Sequence, residues 1–398
     1  MADTDLIFVD ENVEGPGTHV LLVGVGTYDY LVDGSSENLD VADAMEQLDA
    51  PAKSVKAIAD WLLDGNFHNG DRPLASVAMV VSAPDPFIYA HEAATNAGAP
   101  LPSGTAEEVV AAIRSWLARA STHRESMTIF YFCGHGIFAG NSVLLCRDYG
   151  EEPDDRFAGT INFDNLCSAM QTKIPEYQIF LADACRTPDD TIDLLATFNG
   201  AGLSALSPSK LITRGGMPAK QSVHLATSTL APSYGRIDGV SVYADALLRA
   251  LAGGGAQIEY GMWVGTDGLQ NALGTYTPRL AKAEGVEQEP DRIRSGRFKI
   301  HKPARIEVPV YLTCNPEEAW HSKFKLTGLR GIDVAVDLDH DPDEHPERNE
   351  LEFLLENDKY SFSAVFGETS PYMSGEGTLI VHPPEAPLCL PIERRPNG

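Results

Sequence analysis

Two residues in this chain of 398 have the types and spacing that nucleophilic chemistry needs. His135 follows the apolar run in MTIFYFCGHG (127–136), and Cys185 closes the run in YQIFLADACR (177–186). Each run reads as a buried strand ending at a polar residue. If the two strands are neighbours in a parallel sheet, both side chains emerge at the same edge. A free thiol with a pKa of about 8.5 is only a few per cent thiolate at neutral pH, and a nearby imidazole raises that fraction or acts as base. The glycines flanking His135 let a substrate backbone approach. The amides of Gly136 and Cys185 can then donate to a developing oxyanion, worth about 3–4 kcal/mol per well-placed donor. Taken singly, a histidine after a strand is more often a satisfied polar group and a buried cysteine a small hydrophobe. Their order on successive strand–helix units is what gives the pair weight. Cys146 and Cys167, like Cys133, lie inside apolar or helical patterns and read as packing.

The elements that must position these residues alternate. HVLLVGVGTY (19–28), SVAMVVSAP (76–84) and SVHLATST (222–229) read as further strands, with SVLLCRD (142–148) a short one. Helical patterns occupy 39–63, interrupted at Pro51, then 105–120, where Thr105 and Glu108 make a capping box, and 241–251, stopped by Gly253–Gly255. Runs apolar throughout, rather than at every second residue, imply an α/β fold with a mostly parallel sheet sandwiched by helices. Such folds place their sites in loops at the carboxyl ends of the strands.

From about 303 the character changes. RIEVPVYLTC, FKLTGL, DVAVDL, LEFLLE, YSFSAVFG and GTLIVH are short strand-like runs separated by Pro, Gly, Asp and Glu. They predict a smaller all-β C-terminal domain resembling a sandwich. The expected division is 1–290 for the α/β unit, 291–302 for a basic linker carrying Arg292, Arg294, Arg297, Lys299 and Lys302, and 303–398 for the β domain.

Composition bounds what this architecture does. There are 57 acidic and 30 basic side chains, a net charge of −27. That argues against a general nucleic-acid binder and against a surface held by anionic lipid, since both need clustered Lys and Arg. No apolar stretch approaches the roughly 18 residues of a membrane span, and the acidic start does not read as a secretion signal. Six cysteines, with no CxxC pair and no zinc-like spacing, suit a cytoplasmic protein with reduced thiols. DVAVDLDHDPDEH (333–345) offers oxygen ligands at alternate positions, which raises calcium as a cofactor; a solvated acidic loop is the commoner meaning of such a run. No other cofactor is expected.

A strand ending in His-Gly, followed about 50 residues later by one ending in Asp-Ala-Cys-Arg, resembles the caspase/metacaspase family of cysteine peptidases. The similarity covers about 18–285, including ATSTLAPSYGR (226–236) and GVSVYADALLRAL (239–251), and leaves out 303–398. It implies a cysteine endopeptidase of the caspase–haemoglobinase fold, with His135 and Cys185 as the dyad and Gly136 in the oxyanion hole. Asp183 stands where metacaspases place an S1 aspartate selecting Arg or Lys, and Asp43, within Ala42-Asp43-Ala44, is similar to the second pocket aspartate of that family. Charge-assisted hydrogen bonds from a basic P1 side chain would follow. Against this, STLAPSYGR (228–236) resembles the segment where animal caspases carry an arginine for a P1 aspartate, with Ser228 at its start and Arg236 near the arginine's place. Cys133 also replaces the serine usual in metacaspases. Basic P1 is the favoured expectation and aspartate the alternative.

Family members often cut themselves in the segment after the nucleophile, so self-cleavage after Arg214 or another basic residue is the expectation for the long stretch 186–221, with a merely flexible surface loop as the alternative. The β domain is expected to recognise a partner, a substrate or an activating signal. The build resembles a prokaryotic member, a group associated with stress responses, regulated cell death and antiviral defence against phage. Two readings from other classes stay open. One is a catalytically silent adaptor that keeps the fold; the other is peptide ligation on a related fold.

Overall fold

The computed structural model describes residues 4–38, 45–95, 98–152, 154–155, 157–188, 202–209, 217–228, 233, 235–236, 238–344 and 349–396. The chain begins with β1 (Leu6–Val9), β2 (Thr18–Val25), α1 (Ala50–Trp61), β3 (Leu74–Ser82) and α2 (Ala106–Ala120). It continues through β4 (Met127–Cys133), β5 (Gly136–Phe138), β6 (Ser142–Leu145), β7 (Thr160–Asn162), α3 (Phe163–Met170) and β8 (Tyr177–Asp183). After β9 (Thr187–Pro188) come β10 (Lys220–Leu225), α4 (Val242–Arg249), β11 (Ala256–Gln257) and β12 (Trp263–Gly265). Helix α5 (Thr266–Ala283), β13 (Asp291–Ser295) and β14 (Lys299–His301) complete this first unit.

Its main sheet has the order β1-β3-β2-β4-β8-β10-β13. The five central strands are parallel, and β1 and β13 pair antiparallel at the two edges. Helices cover both faces, which is why β2 is buried at every residue. Alternate side chains divide between two cores. Leu21, Val23, Phe130, Phe132, Phe180 and Ala182 pack toward α2 and α3. Val20, Leu22, Tyr131, Cys133, Ile179 and Leu181 pack toward α1, α4 and α5.

Helix α2 starts as its capping box requires: Thr105 Oγ1 accepts from the Glu108 amide at 3.4 Å, and Glu108 Oε2 accepts from the Thr105 amide at 3.2 Å. The helix expected over 39–63 is shorter. It begins at Ala50, with Pro51 in its first turn where the missing N–H costs nothing, and 45–49 is a loop. The stretch expected as a basic linker, 291–302, is built into the unit instead. Arg292 and Arg294 lie in β13 at the sheet edge, and Lys299 lies in β14, which pairs with β12. Arg292 pairs with Asp267 at 2.6 Å, and Arg294 reaches the neutral amide oxygen Gln221 Oε1 at 2.6 Å.

The C-terminal unit contains β15 (Glu307–Asn315), β16 (Phe324–Arg330), β17 (Asp333–His340), β18 (Leu351–Glu356), β19 (Lys359–Phe366), β20 (Tyr372–Ile380) and β21 (Ala386–Arg394). These run in one largely antiparallel order, β17-β16-β19-β20-β21-β15-β18, curled close to a barrel around a single core. Strand β21 was not among the expected runs. It alternates correctly, with Ala386, Leu388, Leu390 and Ile392 buried, but Pro387 and Pro391 disguise it. The acidic run of 333–345 is mostly strand β17, and lysines meet its carboxylates: Lys325 pairs with Asp337 at 3.0 Å and Lys323 with Asp341 at 2.5 Å.

Candidate active site

Strands β4 and β8 pair in parallel with Cys133 opposite Asp183. His135 and Cys185 each follow two residues later, so they leave the sheet side by side at its carboxyl edge. Gly134 ties the two strand ends together, its amide donating to the Asp183 carbonyl at 3.2 Å. Both side chains line one cavity of about 250 Å³, together with Cys133, Asp183, Arg236, Ser233, Ser241, Gln47 and the start of α1.

The His135 ring is held from one side. Its Nε2 meets the Glu46 carbonyl at 2.7 Å, a contact in which only an N–H can serve the acceptor. The neutral ring therefore keeps its lone pair on Nδ1. Tyr28 packs against the imidazole with ring centroids 4.9 Å apart, and its hydroxyl accepts from the His135 amide at 2.7 Å. Gln47 fixes the loop that presents Glu46: its Oε1 accepts from the Tyr28 amide at 2.7 Å, and its Nε2 donates to the carbonyls of Tyr28 at 3.1 Å and Val32 at 2.8 Å. Burial pushes the His135 pKa down, against an opposing effect from the Glu46 carbonyl.

The Ser233 amide donates to Cys185 Sγ at 3.2 Å. Burial pushes the thiol pKa up; the Ser233 amide opposes this, and the nearby Asp183 adds to it. The resting pair is thus a neutral imidazole beside a neutral thiol. Among the described residues no hydrogen bond joins His135 to Cys185.

Asp183 forms the floor of the cavity and is 3% exposed. Tyr131 donates to Oδ2 at 2.8 Å and Ser233 to Oδ1 at 3.1 Å, while Ser241 makes a short bond to Oδ2. Ser241 is also the N-cap of α4, accepting from the Ala244 amide at 2.9 Å. Burial raises the Asp183 pKa, with those hydroxyls pulling it back down.

The remaining sequence expectations fare differently. Gly136 opens β5, and because the Leu145 amide bonds the His135 carbonyl, the next pair, Gly136 and Leu144, is the non-hydrogen-bonded one, which turns the Gly136 amide away from β6. Arg236 does line the cavity, but two carboxylates already hold it: Asp245 at 2.9 Å and Glu284 at 2.7 Å. Ser228 is exposed and is not among the residues lining the cavity, so its expected place in the pocket is not met. Asp43 and Arg214 lie outside the described residues. Asp49 does line the cavity, as the residue before α1, with Lys53 2.5 Å away holding its carboxyl below the ordinary range. Sequence reasoning passed over Tyr28, Glu46, Gln47, Asp49, Ser233 and Ser241. Of these only Ser241 carried a signal, a serine directly ahead of an apolar helical pattern. Among the described residues no group of three His, Cys, Asp or Glu side chains converges as metal ligands do. No helix among them is long and apolar enough to cross a membrane.

The caspase domain family profile matches residues 19–295, most of the chain. The chain belongs to that family, and its fold is the caspase-like one of a mostly parallel sheet between helices. It is 27% identical over 217 residues to an uncharacterized protein, y4kE, of Sinorhizobium fredii, a match covering 50% of this chain and 58% of that protein. Caspase-1 from Spodoptera frugiperda aligns structurally over 74% of this chain and 95% of its own, at a TM-score of 0.42 and 13% identity.

Proposed function

We propose that this protein is a cysteine endopeptidase that cleaves protein substrates with His135 and Cys185. The observation that carries the reading is the register of β4 and β8, which delivers both residues to one cavity with an acid at its floor. In the proposed reaction His135 Nδ1 takes the thiol proton as Sγ attacks the scissile carbonyl carbon. The Gly136 and Cys185 amides donate to the oxyanion. The imidazolium then protonates the leaving amine, and water, with His135 again as base, hydrolyses the acyl-enzyme. Asp183 gives the cavity a carboxylate that no cation among the described residues pairs, Asp49 adds a second that Lys53 already holds, and Arg236 is neutralised by its own partners. That balance supports Arg or Lys at P1.

One observation supports aspartate at P1 instead: Arg236 lines the cavity and could exchange Asp245 or Glu284 for a substrate carboxylate. Another supports a silent adaptor, namely that the thiol and imidazole are not hydrogen-bonded. The likeness to a bacterial protein supports a prokaryotic member; the cytoplasmic setting and a defence role are part of the same proposal by analogy.

A panel of fluorogenic peptides ending in Arg, Lys or Asp separates these readings. Hydrolysis after Arg and Lys, lost in Cys185→Ala, is expected. Cleavage after Asp alone replaces the P1 assignment. A Cys185→Ala variant as active as the wild type overturns the nucleophile.

A further inference from the structure

The cavity wall is tied to the C-terminal sheet by an unbroken series of ion pairs. Arg236 directs Nη1 to Asp245 Oδ2 at 2.9 Å. The other oxygen of Asp245 accepts from Arg249 Nε, one helical turn along α4, at 2.9 Å. Arg249 Nη1 then reaches Glu352 Oε1 in β18 at 2.5 Å. Glu284, 2.7 Å from Arg236 Nε, closes the near end. The five charges alternate in sign, so the place of each of the three inner ones depends on both its neighbours. The relative exposures of Arg236, Asp245, Arg249 and Glu352 are 21%, 23%, 31% and 44%, which leaves the series partly sheltered from solvent screening.

Arg236 stands three residues after Ser233, whose amide touches the Cys185 sulfur and whose hydroxyl touches Asp183. We propose that Glu352 is a positioning residue: through Arg249 and Asp245, the C-terminal β unit sets Arg236 and with it the wall of the substrate cavity. Without the Glu352 charge, Arg249 turns more fully on Asp245, and the hold of Asp245 on Arg236 weakens. The accessory unit thereby adjusts substrate binding from outside the cavity. The kinetic form of this inference rests on the peptidase reading.

The same interface supplies its own control. Arg279 bonds Glu350 at 3.0 Å and Glu385 at 3.1 Å and lies 3.6 Å from the centre of the Tyr311 ring. It joins the two units without a described bond to the series. In the full-length protein, Glu352→Gln is expected to raise KM for the preferred peptide about fivefold with little change in kcat, the size of one partly exposed pair. Arg279→Met should leave KM unchanged, and in an Arg236→Met background Glu352→Gln should have no further effect. Equal KM shifts in Glu352→Gln and Arg279→Met, or a Glu352→Gln effect that persists without Arg236, would overturn the relay.

A second measurement does not depend on hydrolysis. The pH midpoint of Cys185 alkylation by iodoacetamide, followed by peptide mass mapping, should rise in Glu352→Gln as the Ser233 amide loosens from the sulfur. An unchanged midpoint overturns the relay even if no peptide is ever cut. Absence of hydrolysis in the wild type would count against the peptidase reading alone.

Discussion

Cys133 and Asp183 face each other in register across two neighbouring parallel strands. That pairing decides the site. Slipping β8 by one residue against β4 would turn Asp183 toward the opposite core and carry Cys185 out of step with His135. The dyad candidates are therefore placed by the hydrophobic alternation of two strands, and the loops refine what the strands deliver.

Gln47 should matter for turnover although it does not reach the reacting atoms. Gln47→Leu removes three bonds that hold the Glu46 carbonyl against the ring of His135. The expected result is a fall in kcat with KM nearly constant, and a stability loss of about 1–3 kcal/mol. Steady-state kinetics with a parallel thermal melt check it; a KM effect with kcat intact would show that Gln47 shapes the cavity rather than the histidine.

Lowered His135 and raised Cys185 pKa values make a definite pH profile. The acid limb of kcat/KM should have a midpoint below about 6.5, and activity should hold past about pH 8.5. The resting protein at neutral pH should lack thiolate absorbance near the ultraviolet edge. A thiolate band that disappears in Cys185→Ala would establish an imidazolium–thiolate pair instead.

How much of this could be read from the sequence depends on what kind of information each feature uses. The strand ends carrying His135 and Cys185 were legible because both strands are apolar throughout and stop at polar residues. The α2 cap was legible because Thr105 and Glu108 interact across three residues. Asp49 and Ser233 were not, because they come from two separate loops that only the tertiary fold brings to the cavity around Asp183; Ser241, in the same connection as Ser233, was legible only as a helix cap. The start of α1 was misplaced because 39–49 contains apolar residues at helical spacing, while Pro51 marked the true first turn. Strand β21 was hidden by prolines, and β13 by charges that fold back onto the sheet.

Asp183 should make stability depend on pH in a particular direction. Its folded-state pKa is raised by burial. Such a group contributes stability that is whole below the unfolded carboxylate value, about 3.9, and is lost as pH rises through the folded value. Melting of the wild type and Asp183→Asn between about pH 3.5 and pH 8 should therefore show the gap in Tm moving in favour of the variant as pH rises. A gap that moves the other way contradicts the assignment.

Gly136 has no room for a side chain. A Cβ there would lie 2.7 Å from the Cys185 carbonyl oxygen and 2.9 Å from the Ala184 Cβ. Gly136→Ala should cost about 1–3 kcal/mol and depress kcat, since the two amides proposed for the oxyanion move apart. Gly274→Ala is the contrast. That position in α5 is exposed with nothing within 4 Å, so the substitution should stabilise by up to about 1 kcal/mol with activity unchanged.

Self-cleavage after Arg214 is tested by intact mass of the purified protein beside Cys185→Ala. Two fragments joining at Arg214 in the wild type and one chain in the variant are expected. One unbroken chain in both, from an active preparation, would dispose of processing.

The partner of His135 is a main-chain oxygen, and this has a consequence for any survey of the protein by substitution. Position 46 will score as indifferent, since every residue type except one with an altered backbone offers the same carbonyl. On the proposed mechanism the glutamate side chain can be exchanged without effect, so long as the peptide group behind it keeps its place against the ring. What gives the imidazole its direction here is inherited as a loop shape, and only edits to the length or anchoring of that loop will expose it.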